Sequence, residues 1–432
     1  MLLNKLKQLN KRVIILSWLA LFLAISFLAS QMTIAQQIIS PIADRLSGNL
    51  QPLEGGKPGY EVFGFAPHWR MHKLDNVDFS VLTTLAYFGI EVNADGSLLL
   101  DDVGYQKFKS DSTTELFKKA HENNTRVVLT ITQMDNATIR AILDDPEAQQ
   151  RTIDQTVDLV QRRGIDGINI DFEYSGTPPA GYRDQYSAFV KNMSEAMHQA
   201  NPNSRVTVSV YASAAKYAKL YNIGSIAQNS DGIFMMAYDF AVKGSDHAIP
   251  TAPLYGYREG KYWYDISTAV EDFLKVMPAE KLILGVPYYG YNYPVNNVAV
   301  KAARHEGYYT YYWRNRRRYS QYHSYPSTVQ TYSLLKNEVI AENADAQTGW
   351  DDYGKVGYVA YQEDGVWRMV FMEDERSLGE KYDFAKSKNL AGVGMWALGF
   401  DDGRTELWSL LKLKFGEKLA NNPTRLARIK SI

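Results

Sequence analysis

The sequence predicts an α/β chain folded as a closed (β/α)8 TIM barrel with a small α+β insertion between strands seven and eight. Three observations lead there. Past residue 60, eight short apolar or β-branched runs recur: Val62–Phe65, Leu82–Phe88, Val127–Thr132, Gly167–Phe172, Val206–Val210, Gly232–Tyr238, Leu282–Pro287 and Gly392–Leu398. The pieces between them have helical spacing: Ile153, Val157 and Val160 share one face, as do Tyr186, Phe189, Met193 and Met197. Strand alternating with helix implies a parallel sheet, and a barrel of eight such units needs about 250 residues. The chain has 432 residues, so it has room for one barrel and additions.

The rhythm breaks over about 291–370, a Tyr-rich stretch with Trp313, Trp350 and Trp367 and short strand-like runs such as Lys355–Tyr361 and Val366–Phe371. This stretch is the expected insertion, within a barrel domain spanning 60–416. The remainder, 417–432, reads as a polar, basic tail.

Composition narrows the function. Net charge is −1, and the four cations of residues 1–36 (Lys5, Lys7, Lys11, Arg12) are unopposed, leaving −5 on the rest. A mildly acidic body lacks the basic footprint of a nucleic-acid binder. With no cysteine, disulfides, thiolate metal sites and cysteine nucleophiles are excluded. The seven histidines show no metal-binding spacing, so neither metal nor other cofactor is expected. The high aromatic content, 13%, suits either a core or stacking platforms for sugar rings.

The N-terminus is laid out for export. A basic region, Lys5 to Arg12, precedes the apolar run Val13–Ala29, and Thr33-Ile34-Ala35 follows as a small-x-Ala site. A signal peptide over 1–36 is expected, with an uncleaved membrane anchor as the alternative. Both place the body outside the cytoplasm: secreted, periplasmic or at the cell surface. Residues 37–59, with Pro41, Pro52, Gly55, Gly56 and Pro58, read as a linker.

The chemistry concentrates in Ile165–Glu173. Side chains alternate along a strand, so Gly167, Asn169, Asp171 and Glu173 share one face while Ile168, Ile170 and Phe172 share the other. The apolar face must pack on helices, which turns the acids inward. Asp171 and Glu173 then lie about 6.6 Å apart along the strand, at the barrel end that carries active sites. No Lys or Arg on this strand neutralises them. Two nearby carboxylates do not both ionise easily, and a Glu kept protonated can act as general acid. Asp166 has the opposite parity and is expected only to fix the turn into the strand.

The run from Ile165 to Glu173 resembles the signature of glycoside hydrolase family 18, the chitinase family. Met236-Ala237-Tyr238-Asp239, Gly285-Val286-Pro287-Tyr288-Tyr289-Gly290 and Gly394-Met395-Trp396 resemble three further segments of that family, in order. The resemblance covers about Tyr60 to Leu413, and an insertion before strand eight is typical of the family. It implies a retaining, substrate-assisted glycosidase. Glu173 would be the acid and base. Asp171 would orient the sugar's acetamido group, Tyr238 would hold the acetamido oxygen, and Asp239 would support that site. Trp396 would stack under the sugar, with Met236 beside it. Asn169, where many chitinases have Asp, joins the catalytic set by hydrogen-bonding Asp171 without adding charge. The implied partner is a polysaccharide or oligosaccharide containing N-acetylglucosamine, bound by a monomer.

Asn169 and the Ile-Asp-Phe-Glu after it also resemble the bacterial spore-germination and cortex-lytic branch, which acts on peptidoglycan. Chitin-type substrates are preferred, with peptidoglycan second. A lectin-like member without activity is disfavoured by the presence of Glu173, Asp171 and Tyr238. Arg314–Arg318 reads as a solvated face that could instead touch anionic glycan.

Overall fold

A computed structural model describes residues 50–416. The export segment, the first part of the linker and the tail from 417 lie outside the described residues. The expected barrel is present. Its first seven strands are β1 (Glu61–Pro67), β2 (Thr84–Glu91), β3 (Arg126–Gln133), β4 (Gly167–Phe172), β5 (Arg205–Tyr211), β6 (Gly232–Met236) and β7 (Leu282–Pro287). The insertion follows, with β8 (Tyr289–Val295), β9 (Tyr308–Arg314), β10 (Arg317–His323), β11 (Thr328–Thr331), β12 (Gln347–Asp351), β13 (Val356–Glu363) and β14 (Val366–Met372). The eighth barrel strand, β15 (Gly392–Trp396), pairs in parallel with both β7 and β1 and closes the ring.

Helices cover the outside. The pattern over 182–200 holds: Tyr186, Phe189, Met193 and Met197 are all buried in helix Tyr182–Ala200. In Pro146–Arg163 the buried stripe runs through Ile153, Thr156, Leu159, Val160 and Arg163, leaving Val157 half-buried. The stripe crosses Arg163 because its guanidinium is accommodated: it donates to the Phe108 carbonyl at 3.0 Å and to Thr114 at 2.8 Å.

The barrel interior is filled by rings where the strands supply glycine. Phe234 on β6 lies 4.8 Å from Phe65 and 5.4 Å from Phe63, centroid to centroid. A Cβ on Gly285 or Gly394 would sit 2.5 or 2.4 Å from that ring. The glycines of β7 and β15 therefore make room for the aromatic plug on which the site rests.

The linker reading needs revision for residues 50–59. They have no regular secondary structure, yet they are pinned to the barrel. The Leu53 amide donates to Asp166 Oδ1 at 2.6 Å, and the Lys57 ammonium donates to the Phe79 and Leu82 carbonyls at 2.6 and 2.7 Å. The Pro and Gly content that suggested a linker prevents a helix here without preventing packing.

The insertion is a five-stranded antiparallel sheet in the order β11-β8-β14-β13-β12, with a separate hairpin, β9–β10. It starts at Tyr289, slightly before the expected 291, because the chain leaves β7 almost directly into β8.

Candidate active site

Two residues at the start of β4 set the site's foundation. Gly167 has φ +146°, and a Cβ there would sit 2.0 Å from the Arg205 carbonyl oxygen, so only glycine lets β4 lie against β5 at this point. Asp166 just before it accepts from the amides of Leu53 and Val127, both at 2.6 Å, and lies 2.8 Å from His121 Nε2. It fixes the entry into the strand, as its parity suggested.

From there alternation does its work. Phe172 turns outward and stacks on Phe189 at 5.6 Å. Asp171 turns inward and is buried. Glu173 follows the last strand residue, and its amide still donates to the Gln133 carbonyl of β3 at 2.8 Å, so the side chain keeps the inward direction. Asp171 and Glu173 line one cleft of about 350 Å³ together with Met236, Tyr238, Asp239 and Trp396.

Asn169 is a different case. It is fully buried beneath the cleft, and its hydrogen bonds run sideways to β5: Nδ2 lies 2.8 Å from Ser209 Oγ, while Thr207 Oγ1 donates to Oδ1 at 3.2 Å. The expected bond to Asp171 is replaced by these. On one strand face, residues two apart are separated by about 6.6 Å along the chain, whereas Thr207 is the register neighbour of Asn169. Asn169 therefore reaches the cleft through Ser209, which lines it.

The electrostatics separate the acids from ordinary carboxylates. Burial pushes the Asp171 pKa well up, and the Glu173 charge adds to this. Glu173 is raised too, chiefly by burial. Asp239 pushes it further, and the Tyr211 hydroxyl, donating toward the carboxylate, opposes the rise. Among the described residues, Asp171 Oδ1 is buried without a hydrogen-bond partner.

Met236 ends β6, and Tyr238 and Asp239 lie just beyond it rather than within the strand. The turn needed there places Asp239 at φ +58°. Its Oδ1 accepts from the hydroxyls of Tyr289 at 2.6 Å, Tyr291 at 2.9 Å and Thr251 at 3.2 Å. Burial raises its pKa in spite of these donors. Trp396 closes the floor, held by Phe88 at 4.7 Å and Phe65 at 5.5 Å.

This geometry puts a protonatable acid, a buried carboxylate with a free acceptor and a ring platform in one cleft. The sequence profile of "Glycosyl hydrolases family 18" matches residues 61–401. The chain belongs to this family. Among its relatives is mouse (Mus musculus) di-N-acetylchitobiase, 26% identical over 82% of this chain and 89% of that one. Another is the cortical fragment-lytic enzyme of Bacillus subtilis (strain 168), 21% identical over 77% of this chain and 68% of that one. Of solved structures, a group IV chitinase from Ostrinia furnacalis superposes with a TM-score of 0.69 at 21% identity, covering 84% of this chain and 100% of the other, and bears on the fold alone.

Several residues in this family 18 enzyme's cleft or directly behind it escaped the sequence reading. Tyr211 and Ser209 were visible in principle: Arg205–Tyr211 alternates apolar with Thr207, Ser209 and Tyr211, the same signal used for β4. Tyr289 and Tyr291 have the same two-residue spacing, but their common partner, Asp239, lies fifty residues away. Half-exposed Trp263 belongs to a loop with no periodic pattern to mark it.

Proposed function

We propose that this family 18 glycoside hydrolase cleaves β-1,4 bonds of N-acetylglucosamine-containing glycans, chitin and its oligosaccharides, by substrate-assisted catalysis with retention. The observation that carries the reading is Asp171: a buried carboxylate with a raised pKa and an unpartnered Oδ1, beside Glu173 in the cleft. A sugar acetamido N–H donating to that oxygen satisfies it and points the acetamido oxygen at the anomeric carbon.

Glu173, kept protonated by burial, gives its proton to the glycosidic oxygen. The C–O bond breaks as the acetamido oxygen attacks the anomeric carbon, forming an oxazolinium ion. Tyr238 holds the acetamido oxygen in a near-attack position. Asp171 stabilises the positive ring, and Asp239 supports the site from the Tyr238 side. Trp396 supports the sugar face, with Met236 alongside. Glu173, now a base, takes a proton from water, which opens the ring from the original face. Asn169 acts from below through Ser209.

The name of the mouse relative, di-N-acetylchitobiase, supports the chitin-type substrate. A second reading, N-acetylglucosaminyl bonds of peptidoglycan, is supported by the likeness to the Bacillus cortical fragment-lytic enzyme. The N-terminal segment is proposed to direct export, and the enzyme to act as a monomer outside the cytoplasm.

The test compares the parent enzyme with Glu173→Gln on chitooligosaccharide, colloidal chitin and purified peptidoglycan. The variant should lose about 10²–10⁴-fold in kcat on the true substrate. Proton NMR of the parent reaction should show the β-anomer first. A variant as fast as the parent, or an initial α-anomer, would refute the mechanism.

A further inference from the structure

The hairpin β9–β10 is unlike the rest of the surface. Over the fourteen residues of its two strands it exposes Tyr308, Tyr309, Tyr311, Tyr312, Trp313, Tyr319 and Tyr322, with Trp313 72% exposed. Residues 307–325 also carry four arginines, Arg314, Arg316, Arg317 and Arg318, and no Asp or Glu. The hairpin forms a two-stranded sheet of its own, apart from the five-stranded sheet of the insertion.

Its faces are organised. Alternation puts Tyr309, Tyr311 and Trp313 on one side, opposite Tyr322, Ser320 and Arg318. Tyr309 and Tyr311 are stacked rings 6.3 Å apart at 25°, and the Arg318 guanidinium sits 4.0 Å over the Tyr311 ring. The other side pairs Tyr312 with Tyr319 at 5.6 Å and 16°, and ends in Arg314 opposite Arg317. Asn315 and Arg316, with φ 51° and 62°, form the tight turn that brings the arginines together at the tip.

An exposed hairpin with this much aromatic surface is an association hazard, and charge at its tip would by itself only keep it soluble. That explanation accounts for the arginines but not for rows of flat rings on both faces. Rings in a row offer faces to successive sugars, and guanidinium forks match carboxylates in a bidentate way. The hairpin grows from an insertion whose Tyr289 and Tyr291 hold Asp239. None of the residues that line the cleft belongs to the hairpin, so it lies outside the cleft.

We propose that β9–β10 is a second glycan-binding surface that takes a carboxylate-bearing polysaccharide, with the aromatic rows bearing the sugar rings and the four arginines the carboxylates. It holds the enzyme on an acidic matrix and does not depend on which bond the cleft cuts.

The test is affinity electrophoresis of the full enzyme in gels containing polygalacturonate or neutral glycol chitin. Three proteins are compared: the parent; an arginine variant, R314Q/R317Q/R318Q; and a ring variant, Y309S/Y311S/W313S. Hydrolysis of a short soluble chitooligosaccharide and circular dichroism report whether the barrel stays intact. Polygalacturonate should retard the parent, and both variants should bind it about tenfold more weakly while hydrolysing the oligosaccharide at the parent rate. Four results would overturn the proposal. The parent passes unretarded; the ring variant binds like the parent, leaving charge adsorption only; phosphatidylglycerol vesicles or oligo(dT) compete at lower concentration than polygalacturonate; or the parent is a dimer that both variants dissolve. Loss of oligosaccharide hydrolysis in Glu173→Gln bears on the cleft alone and leaves this test untouched.

Discussion

Tyr211 donates toward Glu173 from the neighbouring strand, and this one hydroxyl tunes the acid. A donor aimed at a carboxylate stabilises its ionised form, so removing the donor raises the pKa further above the ordinary range. In Tyr211→Phe the acid therefore stays protonated to higher pH, and the basic limb of the kcat/KM profile should move to higher pH. The acidic limb, set by the ionised form needed elsewhere in the pair, should move less. Superimposable profiles for the two enzymes would show that the hydroxyl does not face the carboxylate in solution. Tyr211 was readable from parity alone, as Asp171 and Glu173 were. Asn169 shows where parity stops: it assigns a face but not a partner, and the partner here lies across the sheet on β5 rather than along β4.

At the scale of elements, β4 is held at both ends by different means. Its top follows β3 through the Glu173 amide, and its base hangs on Asp166. Asp166→Ala would leave the Leu53 and Val127 amides without their acceptor and His121 without its carboxylate. Unsatisfied buried donors cost about 1–3 kcal/mol each, so the variant should lose about 3 kcal/mol in urea unfolding. Asp166→Asn, which keeps one acceptor oxygen, should recover part of it. A loss below about 0.5 kcal/mol would mean that the base of β4 is held by other contacts. The same element shows why much of the fold was legible. Eight apolar runs and their helices follow from periodicity, which is local. Residues 50–59 were misjudged because Lys57 and Leu53 are fixed by carbonyls and a carboxylate far along the chain. Element ends shifted for a related reason: β6 stops at Met236 because Asp239 must turn at positive φ to meet Tyr289 and Tyr291, none of which shows in the hydrophobic pattern of 232–238.

For the molecule as a whole, the active site works against stability. Asp171 is buried with its Oδ1 unpartnered, and burial together with the Glu173 charge holds its pKa well above the usual aspartate range. The sign of the linkage follows. Between the ordinary aspartate pKa and the raised folded one, the unfolded chain has released this proton and the folded protein has kept it, so stability falls as pH rises through that window. Asp171→Asn removes the titration and the burial of charge while keeping the shape. The variant should be inactive and more stable than the parent at neutral pH, by about 1–2 kcal/mol. The difference should be smallest at acidic pH, where Asp171 is protonated in both states. It should widen as pH rises above the ordinary aspartate range and stop widening once folded Asp171 ionises. Thermal or urea unfolding of both proteins across this range measures it. A gap that stays constant with pH would place the stabilisation in packing or hydrogen bonding rather than in charge. An asparagine variant less stable than the parent at neutral pH would mean that the carboxylate has a protein partner in solution, and the free acceptor on which the acetamido contact depends would be lost.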